Sequence, residues 1–402
     1  MPTDNPATHA PTGGAVYLAV NSGSSSVKVA LFDDDLRRFA EAEASRINTA
    51  EPVQLRFSGF PARDEESLPA GSTHADAIDH LAEAVSTLAG ARLAGIGHRV
   101  VHGGESLSEP RRIDDRLMAE MEALSVLAPL HQPHNLSGIR LMGARFANLP
   151  QVACFDTGFH RTIPEKRQRY GLPPAYAQRG LRAFGFHGLS CTHVVDRFEA
   201  VTGNPLPRRL AIAHLGNGAS VTGVVDGRSV YNSMGFTPID GLIMGQRSGH
   251  LDPGAVLWLV DDMKGDTAAV SALLNRKSGL LGLSGESSDM RTLLASTRPD
   301  AALALDMFVD RVAREVAVAT AAAGGIDALV FTGGIGSGAA LIRERVMAEL
   351  LWLGLRPDGA ANRSNSAARL TEAGSPVSAW RIVADEERVL CRAVKALGAQ
   401  AA

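Results

Sequence analysis

Short apolar runs separated by polar turns open the chain. Residues 16–20 are apolar, residues 21–26 (NSGSSS) are polar, and residues 27–32 are largely apolar again before a run of aspartates. Such β-prone runs bounded by turn formers predict two strands joined by a polar turn. The pattern recurs about 195 positions later, with strands predicted over residues 210–215 and 221–225 around the turn 216–220 (GNGAS). This recurrence indicates two related halves, and its period is too long for a solenoid.

Apolar positions spaced three or four residues apart predict helices elsewhere. One helix carries the apolar positions between 136 and 146, and Asn135 is its predicted N-cap. A second helix has an apolar face between residues 305 and 316 and is terminated by two glycines. A last helix begins at Asp385.

A buried strand is predicted over residues 326–332, directly after the long helix. It leads into residues 333–338 (GGIGSG), which we expect to form a loop before a further helix from Leu341. A strand, a loop and a helix in this order are typical of a parallel sheet. Strands, hairpins and crossover helices thus alternate along the chain, and the sequence predicts an α/β fold.

The composition is that of a globular enzyme. The 402 residues are 45% hydrophobic and 21% charged, which predicts two or three domains and excludes a disordered or fibrous chain. A net charge of −3 gives no electrostatic footprint for nucleic acid or an anionic membrane. Cys154, Cys191 and Cys391 are far apart, which argues against a disulfide framework or a zinc ribbon and favours the cytoplasm.

The beginning of the chain has no targeting pattern. Residues 1–15 lack the basic start and the apolar region of a signal peptide, and they are expected to form a disordered tail. No stretch reaches the roughly 18 apolar residues that a membrane span needs. We therefore expect a protein without a membrane partner.

Three loops rich in glycine, serine and asparagine have the composition of anion sites, because a chain without Cβ atoms can approach a phosphate closely. They are residues 21–26, 216–220 and 333–338. Each alone is commonly an ordinary turn, but three together indicate a nucleotide. The chain contains no P-loop, no Rossmann fingerprint and no protein-kinase signature. The remaining way to hold ATP with β-hairpin loops is the two-domain cleft of the actin-like ATPases.

Basic side chains stand within glycine-rich segments at three places. Arg99, His187 and Arg247 lie in GHRVVHGG, GFHG and MGQRSG, respectively. An arbitrary arginine or histidine usually makes a surface ion pair or an ordinary hydrogen bond. A solvated charge does not require glycines on both sides, so these three residues are candidates for a functional role.

Metal binding has two interpretations. The spacing of His98 and His102, or of His131 and His134, is typical of zinc ligands, but no HExxH motif accompanies these residues.

Asn21 and Glu386 instead carry the oxygen donors that Mg²⁺ prefers. Glu386 also stands where a carboxylate compensates a helix dipole, and both roles can hold together.

Six segments, in order, resemble the signatures of the acetate kinase family within the sugar kinase, heat-shock ATPase and actin superfamily. They are residues 21–28 (NSGSSSVK), 97–104 (GHRVVHGG), 156–160 (DTGFH), 214–218 (HLGNG), 244–249 (MGQRSG) and 331–336 (FTGGIG). The resemblance runs from about Val16 to Leu397. It implies two actin-like (ribonuclease H-like) α/β domains with a nucleotide cleft between them. The expected boundaries are residues 16–156 plus 386–402 for domain I and residues 157–385 for domain II, after the tail 1–15.

The resemblance also implies an activity, a cofactor and site residues. The activity is the reversible transfer of the γ-phosphoryl group of ATP to acetate, giving acetyl phosphate and ADP, by a cytoplasmic, Mg²⁺-dependent homodimer. The catalytic positions are matched by Arg99, Asp156, His187 and Arg247, and the magnesium positions by Asn21 and Glu386. The substrate positions are matched by Arg99 and by a small apolar pocket for the methyl group, formed by Val101, Leu130, Phe186 and Pro238. The ATP positions are matched by Lys28; by His214, Leu215, Gly216, Asn217 and Gly218; by Asp289, Met290 and Arg291; and by Gly333, Gly334, Ile335, Gly336 and Ser337.

The residue types suit that reaction. A carboxylic acid is already ionised at pH 7, so the acceptor needs positioning more than deprotonation. Two arginines can clamp carboxylate and phosphoryl oxygens, while His187 and Mg²⁺ neutralise charge in a metaphosphate-like, in-line transition state. We therefore expect Asp156 to orient an arginine or a metal-bound water rather than to act as a base.

Two alternatives stay open. Gln246 and His250, beside Arg247, stand where the family often has Thr and Asp, which leaves propionate or butyrate as possible acceptors. Ser337 and Gly338 replace a frequent Glu-Asn pair, so nucleotide preference is open as well. The alternative of another class is a non-catalytic or chaperone-like actin-fold ATPase. The two arginines and His187 count against it, because an ATP clamp alone would not need them.

Overall fold

The computed structural model describes residues 13–61, 63–129 and 131–399. The chain divides into two compact units, Met1–Gly158 with Asp385–Ala402, and Phe159–Ala384. Most of the predicted tail (residues 1–12) and the predicted pocket residue Leu130 lie outside the described residues. Among the described residues, no helix combines the length and the apolar character that crossing a bilayer requires.

The first unit is built on one mixed sheet. Its elements in chain order are β1 (Val16–Ser22), β2 (Ser26–Phe32), β3 (Arg38–Ser45), β4 (Pro52–Ser58), β5 (Glu65–Ala70), α1 (His74–Ala89), β6 (Leu93–Val100), β7 (Arg111–Arg112), α2 (Asp115–Ala123), α3 (Gln132–Arg145) and β8 (Gln151–Phe155). The strand order is β5-β4-β3-β2-β1-β6-β8-β7. β1 is antiparallel to β2 and parallel to β6, and β6 is parallel to β8.

The second unit contains a smaller sheet and most of the helices. Its elements are α4 (Glu165–Gln168), α5 (Pro174–Gln178), α6 (Gly188–Thr202), β9 (Arg209–Leu215), β10 (Ala219–Val225), β11 (Arg228–Asn232), α7 (Pro253–Asp262), α8 (Thr267–Arg276), α9 (Gly279–Ser284), α10 (Met290–Ala295), α11 (Pro299–Ala323), β12 (Ala328–Thr332), α12 (Gly333–Gly338), α13 (Ala340–Glu349), α14 (Gly359–Ser364) and β13 (Ser378–Arg381). The strand order is β11-β10-β9-β12-β13.

The two sheets share a central pattern, which confirms the predicted duplication. The order β3-β2-β1-β6-β8 in the first sheet matches β11-β10-β9-β12-β13 in the second. In both, an antiparallel three-stranded meander is followed by two parallel strands. The central strands are buried along nearly their whole length, as expected when helices cover both faces of a sheet.

The last helix, α15 (Glu386–Ala399), returns to the first unit. It packs so closely on β6 that a Cβ atom added at Gly97 would lie 2.9 Å from the Leu390 backbone oxygen. Glycine is therefore required at position 97 by packing, and the start of α15 is fixed near the end of β6.

Two local predictions are wrong. Asn135 does not cap a helix, because α3 already begins at Gln132 with Pro133 in its first turn, where proline is favoured. Residues 333–338 form the short helix α12 rather than a loop. The carbonyl oxygens of Gly336 and Ser337 at its end accept hydrogen bonds from the buried Arg343 guanidinium at 3.0 and 2.9 Å, which stabilises a helix of otherwise poor formers.

Candidate active site

The first unit gathers three other predicted residues around Arg99. Asn21 is close to the carboxyl end of β1, Arg99 to that of β6, and Asp156 directly follows β8. Because these strands are parallel neighbours, their carboxyl ends meet at one edge of the sheet. Glu386, the first residue of α15, reaches the same edge.

Arg99 is held from three sides. Its Nε and Nη2 donate to Asp156 Oδ2 at 2.9 and 2.5 Å, and its Nη1 donates to Asn21 Oδ1 at 3.3 Å. Glu386 Oε2 lies 3.7 Å from Arg99 Nε. The guanidinium is therefore fixed in one orientation before any substrate binds.

Two carboxyl groups at this edge, of Asp156 and Glu386, can provide oxygen ligands to a metal ion. Asp156 is only 1% exposed, and its Oδ1 has no hydrogen-bond partner among the described residues. Burial raises the pKa of the Glu386 carboxyl, and the positive charge of Arg99 opposes that rise. An unpartnered carboxylate oxygen of Asp156 and the amide oxygen of Asn21, both on residues that contact Arg99, are oxygen ligands of the kind that a hard cation such as Mg²⁺ prefers.

Lys28 lies beside this group. It is the strand partner of Asn21 across the first hairpin, and its ammonium is 3.6 Å from Glu43 Oε2. Its half-exposed side chain is free to reach solvent on this side of the hairpin.

The sequence did not reveal that Asn135 bonds to the segments that carry Asn21 and Arg99. The buried amide donates from Nδ2 to Ser22 O at 2.6 Å and accepts at Oδ1 from Val101 N at 3.0 Å. It thereby links the residue after Asn21 to the second residue after Arg99. Periodicity could not reveal this role, although an asparagine on an apolar helix face was a signal of a buried polar contact.

The second unit presents His187 against a second histidine. His187 precedes α6 in the left-handed region (φ 59°), and its Nδ1 lies 3.0 Å from Ser220 Oγ. Its ring stacks on His214 with centroids 4.2 Å apart, and His214 Nδ1 lies 2.8 Å from Ser190 Oγ. The hydroxyl partners fix both rings by their Nδ1 atoms.

Arg247 is close to the same place. A Cβ atom added at Gly218 would lie 3.2 Å from His187 Nε2 and 3.7 Å from Arg247 Nη1, so the small turn leaves room for both side chains at one place. Arg247 Nη1 also donates to Pro238 O at 3.1 Å. Of the predicted catalytic residues, Arg99 and Asp156 therefore lie in the first unit, and His187 and Arg247 in the second.

The predicted ATP loops of the second unit converge at one sheet edge. β9 and β12 are parallel, with His214 opposite Thr332, so the segments that follow them are adjacent. Gly333 has φ 76°, and a Cβ atom there would lie 2.6 Å from Leu215 O. Gly333 is thus required both by its backbone conformation and by close packing.

Residues 289–291 stand near these loops. A Cβ atom added at Gly245 would lie 2.1 Å from Asn217 Oδ1 and 3.4 Å from Ser288 Cβ, which places the 288 segment beside the turn 216–220. Asp289 caps α10, and Arg291 pairs with Asp289 Oδ2 at 2.8 Å on the surface.

The residues predicted to form the apolar pocket belong to both units. Val101 is buried in the first unit, whereas the buried Phe186 and the half-buried Pro238 belong to the second. Beside them, Gln246 is exposed, and His250 Nδ1 lies 3.4 Å from Asp240 Oδ1.

The histidines considered for zinc have other surroundings. His98 Nε2 lies 2.7 Å from Gln151 Oε1, and burial lowers its pKa to about 4. His102 Nδ1 accepts a hydrogen bond from Gly104 N. Within the described part of the chain, no group of three or more His, Cys, Asp or Glu side chains is arranged to hold a metal.

Two α/β units whose sheets share a central five-strand order, with polar hairpin turns and glycine-rich segments at the carboxyl edges of the sheets, are typical of the actin-like phosphotransferases. The model of the acetokinase family matches residues 16–392. The chain belongs to the acetokinase family, which confirms the predicted resemblance and fold class.

Similar proteins cover almost the whole chain. An acetate kinase of Rhodopseudomonas palustris is 43% identical over 387 residues, covering 94% of this chain and 97% of the relative. Acetate kinase 1 of Neisseria meningitidis is 41% identical, covering 93% of this chain and 96% of the relative. Among solved structures, a propionate kinase of Francisella tularensis has a TM-score of 0.88 at 35% identity, with 94% and 98% coverage. The acetate kinase of Porphyromonas gingivalis has a TM-score of 0.85 at 32% identity, with 96% and 99% coverage.

Proposed function

We propose that this chain is an acetate kinase: it transfers the γ-phosphoryl group of ATP reversibly to acetate, giving acetyl phosphate and ADP. Its similarity to acetate kinases over 93–94% of its length supports the reaction class. The observation that carries the assignment is the Arg99 group, a guanidinium fixed by Asp156 between an amide oxygen and a second carboxyl. An actin-fold ATPase without an acceptor does not need such a group.

Arg99 positions the acceptor. Acetate is ionised at pH 7, so its oxygens are already nucleophilic and require orientation rather than a base. Asp156 places both of its hydrogen bonds on one side of the guanidinium, through Nε and Nη2. Asp156 therefore acts as an orienting residue, and Arg99 binds the anionic substrate.

Mg²⁺ fits the oxygen donors of the first unit. Asn21 and Glu386 would hold it, and the unpartnered Asp156 Oδ1 is available to a water of its shell. When bound, the metal supplies positive charge to the phosphoryl oxygens. Arg99 offsets part of the negative charge of Asp156 and Glu386, so the edge accepts a cation and an anion side by side.

His187 and Arg247 stabilise the transferring group. Both are cationic or hydrogen-bonding groups next to Gly218, where no side chain intervenes. In an in-line transfer through a metaphosphate-like transition state, such donors neutralise charge on the equatorial oxygens. Removing one preorganised donor of this kind typically lowers kcat about 10²- to 10³-fold.

The nucleotide lies against the second unit. The turn 216–220 and the residues from Gly333 onward are adjacent, and their backbone N–H groups suit phosphate oxygens. Lys28 adds a cation from the first hairpin.

The direct test is formation of acyl hydroxamate from ATP, Mg²⁺ and hydroxylamine with acetate, propionate and butyrate in parallel. Acetate is expected to give the highest kcat/KM. Arg99→Ala should abolish product, while Arg111→Ala, which removes an exposed arginine of the same unit, should not. ATP consumption without hydroxamate from any acid would refute a carboxylate kinase and favour a plain ATPase.

Propionate is the second candidate acceptor. The similarity to the Francisella tularensis propionate kinase favours it, and a pocket discriminates one methylene by only about 1–3 kcal/mol. A kcat/KM for propionate above that for acetate would assign the chain to propionate.

We also propose a cytoplasmic homodimer. Helix α7 supports the dimer, because none of its residues is buried and Leu257 and Trp258 are 67% and 64% exposed. Exposed apolar surface of this kind is typical of protein interfaces. Light scattering of the purified protein should give twice the mass of the chain, and Trp258→Glu should shift it toward the monomer.

A further inference from the structure

The last helix begins with three consecutive acids. Asp385, Glu386 and Glu387 stand side by side, and like charges at this spacing repel each other. Glu386 Oε2 lies 3.7 Å from Arg99 Nε. A positive charge beside Asp385 and Glu387 would reduce the repulsion among the three acids.

Arg38, from the start of β3, contacts both neighbours of Glu386. Its Nη2 donates to Asp385 Oδ1 and lies 3.3 Å from Glu387 Oε2. Its Nη1 donates to Glu41, and its guanidinium lies 5.4 Å from the centre of the Phe32 ring. With 24% of its side chain exposed, Arg38 is a partly buried anchor rather than a surface charge.

The helix terminus is tied to the same group. Asp385 Oδ1, which accepts from Arg38, also accepts from Arg388 N at 3.1 Å and so caps the first turn of α15. Because Arg38 contacts the residues on both sides of Glu386, it fixes the rotation of the first turn of α15 about the helix axis. A single contact would leave that rotation free.

We propose that Arg38 is a positioning residue for Glu386, which it orients by holding Asp385 and Glu387. The inference rests on the proposed function only in taking Glu386 as a magnesium ligand. Two arginines then divide the acids of this edge: Arg99 lies with Asp156 and Glu386, and Arg38 holds Asp385 and Glu387.

The sign of the effect separates positioning from simple electrostatics. Loss of Arg38 leaves two uncompensated carboxylates near Glu386, and their charge alone would tighten binding of a divalent cation. Loss of orientation would weaken it, since residues that orient metal ligands typically contribute 10- to 100-fold to metal affinity.

The test measures Mn²⁺ binding to the full chain with ADP, by electron paramagnetic resonance, for Arg38→Met and Arg38→Lys. We expect both variants to bind Mn²⁺ at least tenfold more weakly, because a lysine ammonium does not reproduce the planar fork. The Mg²⁺ concentration for half-maximal activity should rise in parallel, with the KM for acetate unchanged. Arg37→Met, which removes an arginine that is 70% exposed and pairs with Asp35, is the matched control and should resemble the unmodified protein.

Unchanged or tighter Mn²⁺ binding by folded Arg38→Met, judged by circular dichroism, would overturn the inference. If Arg38→Met does not fold, Arg38→Lys decides alone: it keeps the positive charge but not the planar fork, so weaker Mn²⁺ binding is expected, and no weakening would overturn the inference. Weaker Mn²⁺ binding in a chain that forms no acyl phosphate would support the inference and reject the proposed function instead.

Discussion

Asp156→Asn tests whether Asp156 orients Arg99 or takes a proton. The amide keeps the shape of the carboxylate and can still offer one oxygen to Arg99 Nε and Nη2, which now bond to Asp156 Oδ2 at 2.9 and 2.5 Å. What the substitution removes is the negative charge next to a guanidinium that is only 22% exposed.

The size of the effect follows from burial. Breaking a buried ion pair by removing one partner costs about 3–5 kcal/mol. The retained hydrogen bonds and the second carboxyl, Glu386 at 3.7 Å, offset part of that cost, so about 2–3 kcal/mol remains. If the transition state loses this amount of stabilisation, kcat/KM decreases about 30- to 150-fold.

The assay is hydroxamate formation at saturating ATP and Mg²⁺, repeated across neutral and alkaline pH. An orienting role predicts the same fold-loss at every pH, whereas a general base predicts a loss that varies with pH. Asp115→Asn, at an exposed carboxylate in the first turn of α2, should leave the rate unchanged. A kcat/KM for Asp156→Asn within threefold of the unmodified protein would refute the orienting role.

Two further predictions concern nucleotide binding and stability. Gly333→Ala should weaken ADP binding measured by calorimetry at least tenfold, because φ is 76° and the new Cβ would approach Leu215 O to 2.6 Å; Gly374→Ala, with no atom within 4 Å of its Cβ, should not. Burial lowers the pKa of His98 and of His160 to about 4, so the unfolded chain takes up a proton near pH 6.5 that the folded chain refuses until about pH 4. The free energy of unfolding should therefore fall as pH decreases through this window, by roughly 3 kcal/mol for each histidine, in urea titrations. His98→Gln should flatten the decrease, and a pH-independent urea midpoint would contradict this account.

The elements that sequence predicted correctly are those set by local pattern. The hairpin of β1 and β2 and the long helix α11, which ends at Gly324, follow from apolar spacing and turn formers within a few residues. Arg99 and His187 were chosen as candidates on a similarly local signal, the glycines beside them in the sequence. Their contacts come from distant segments: Arg99 bonds to Asp156 and Asn21, and His187 lies against Ser220.

Contacts between distant segments could not be predicted from such local patterns. Asn135 bonds to Val101 and Ser22, which are 34 and 113 positions away, so its place inside α3 could not be distinguished from a cap. Arg38 meets Asp385 across 347 positions. Such pairs arise only when the folded sheet and the helices packed on it bring distant segments together, and no local rule predicts them.

The central claim is that the γ-phosphoryl group of ATP passes to acetate. It is tested most directly by ³¹P nuclear magnetic resonance of the purified chain with ATP, Mg²⁺ and acetate, without a trapping agent. Acetyl phosphate and ADP are expected in equal amounts, and ATP should form again when these products are supplied. ADP accompanied only by inorganic phosphate, with no acetyl phosphate at any time, would contradict it.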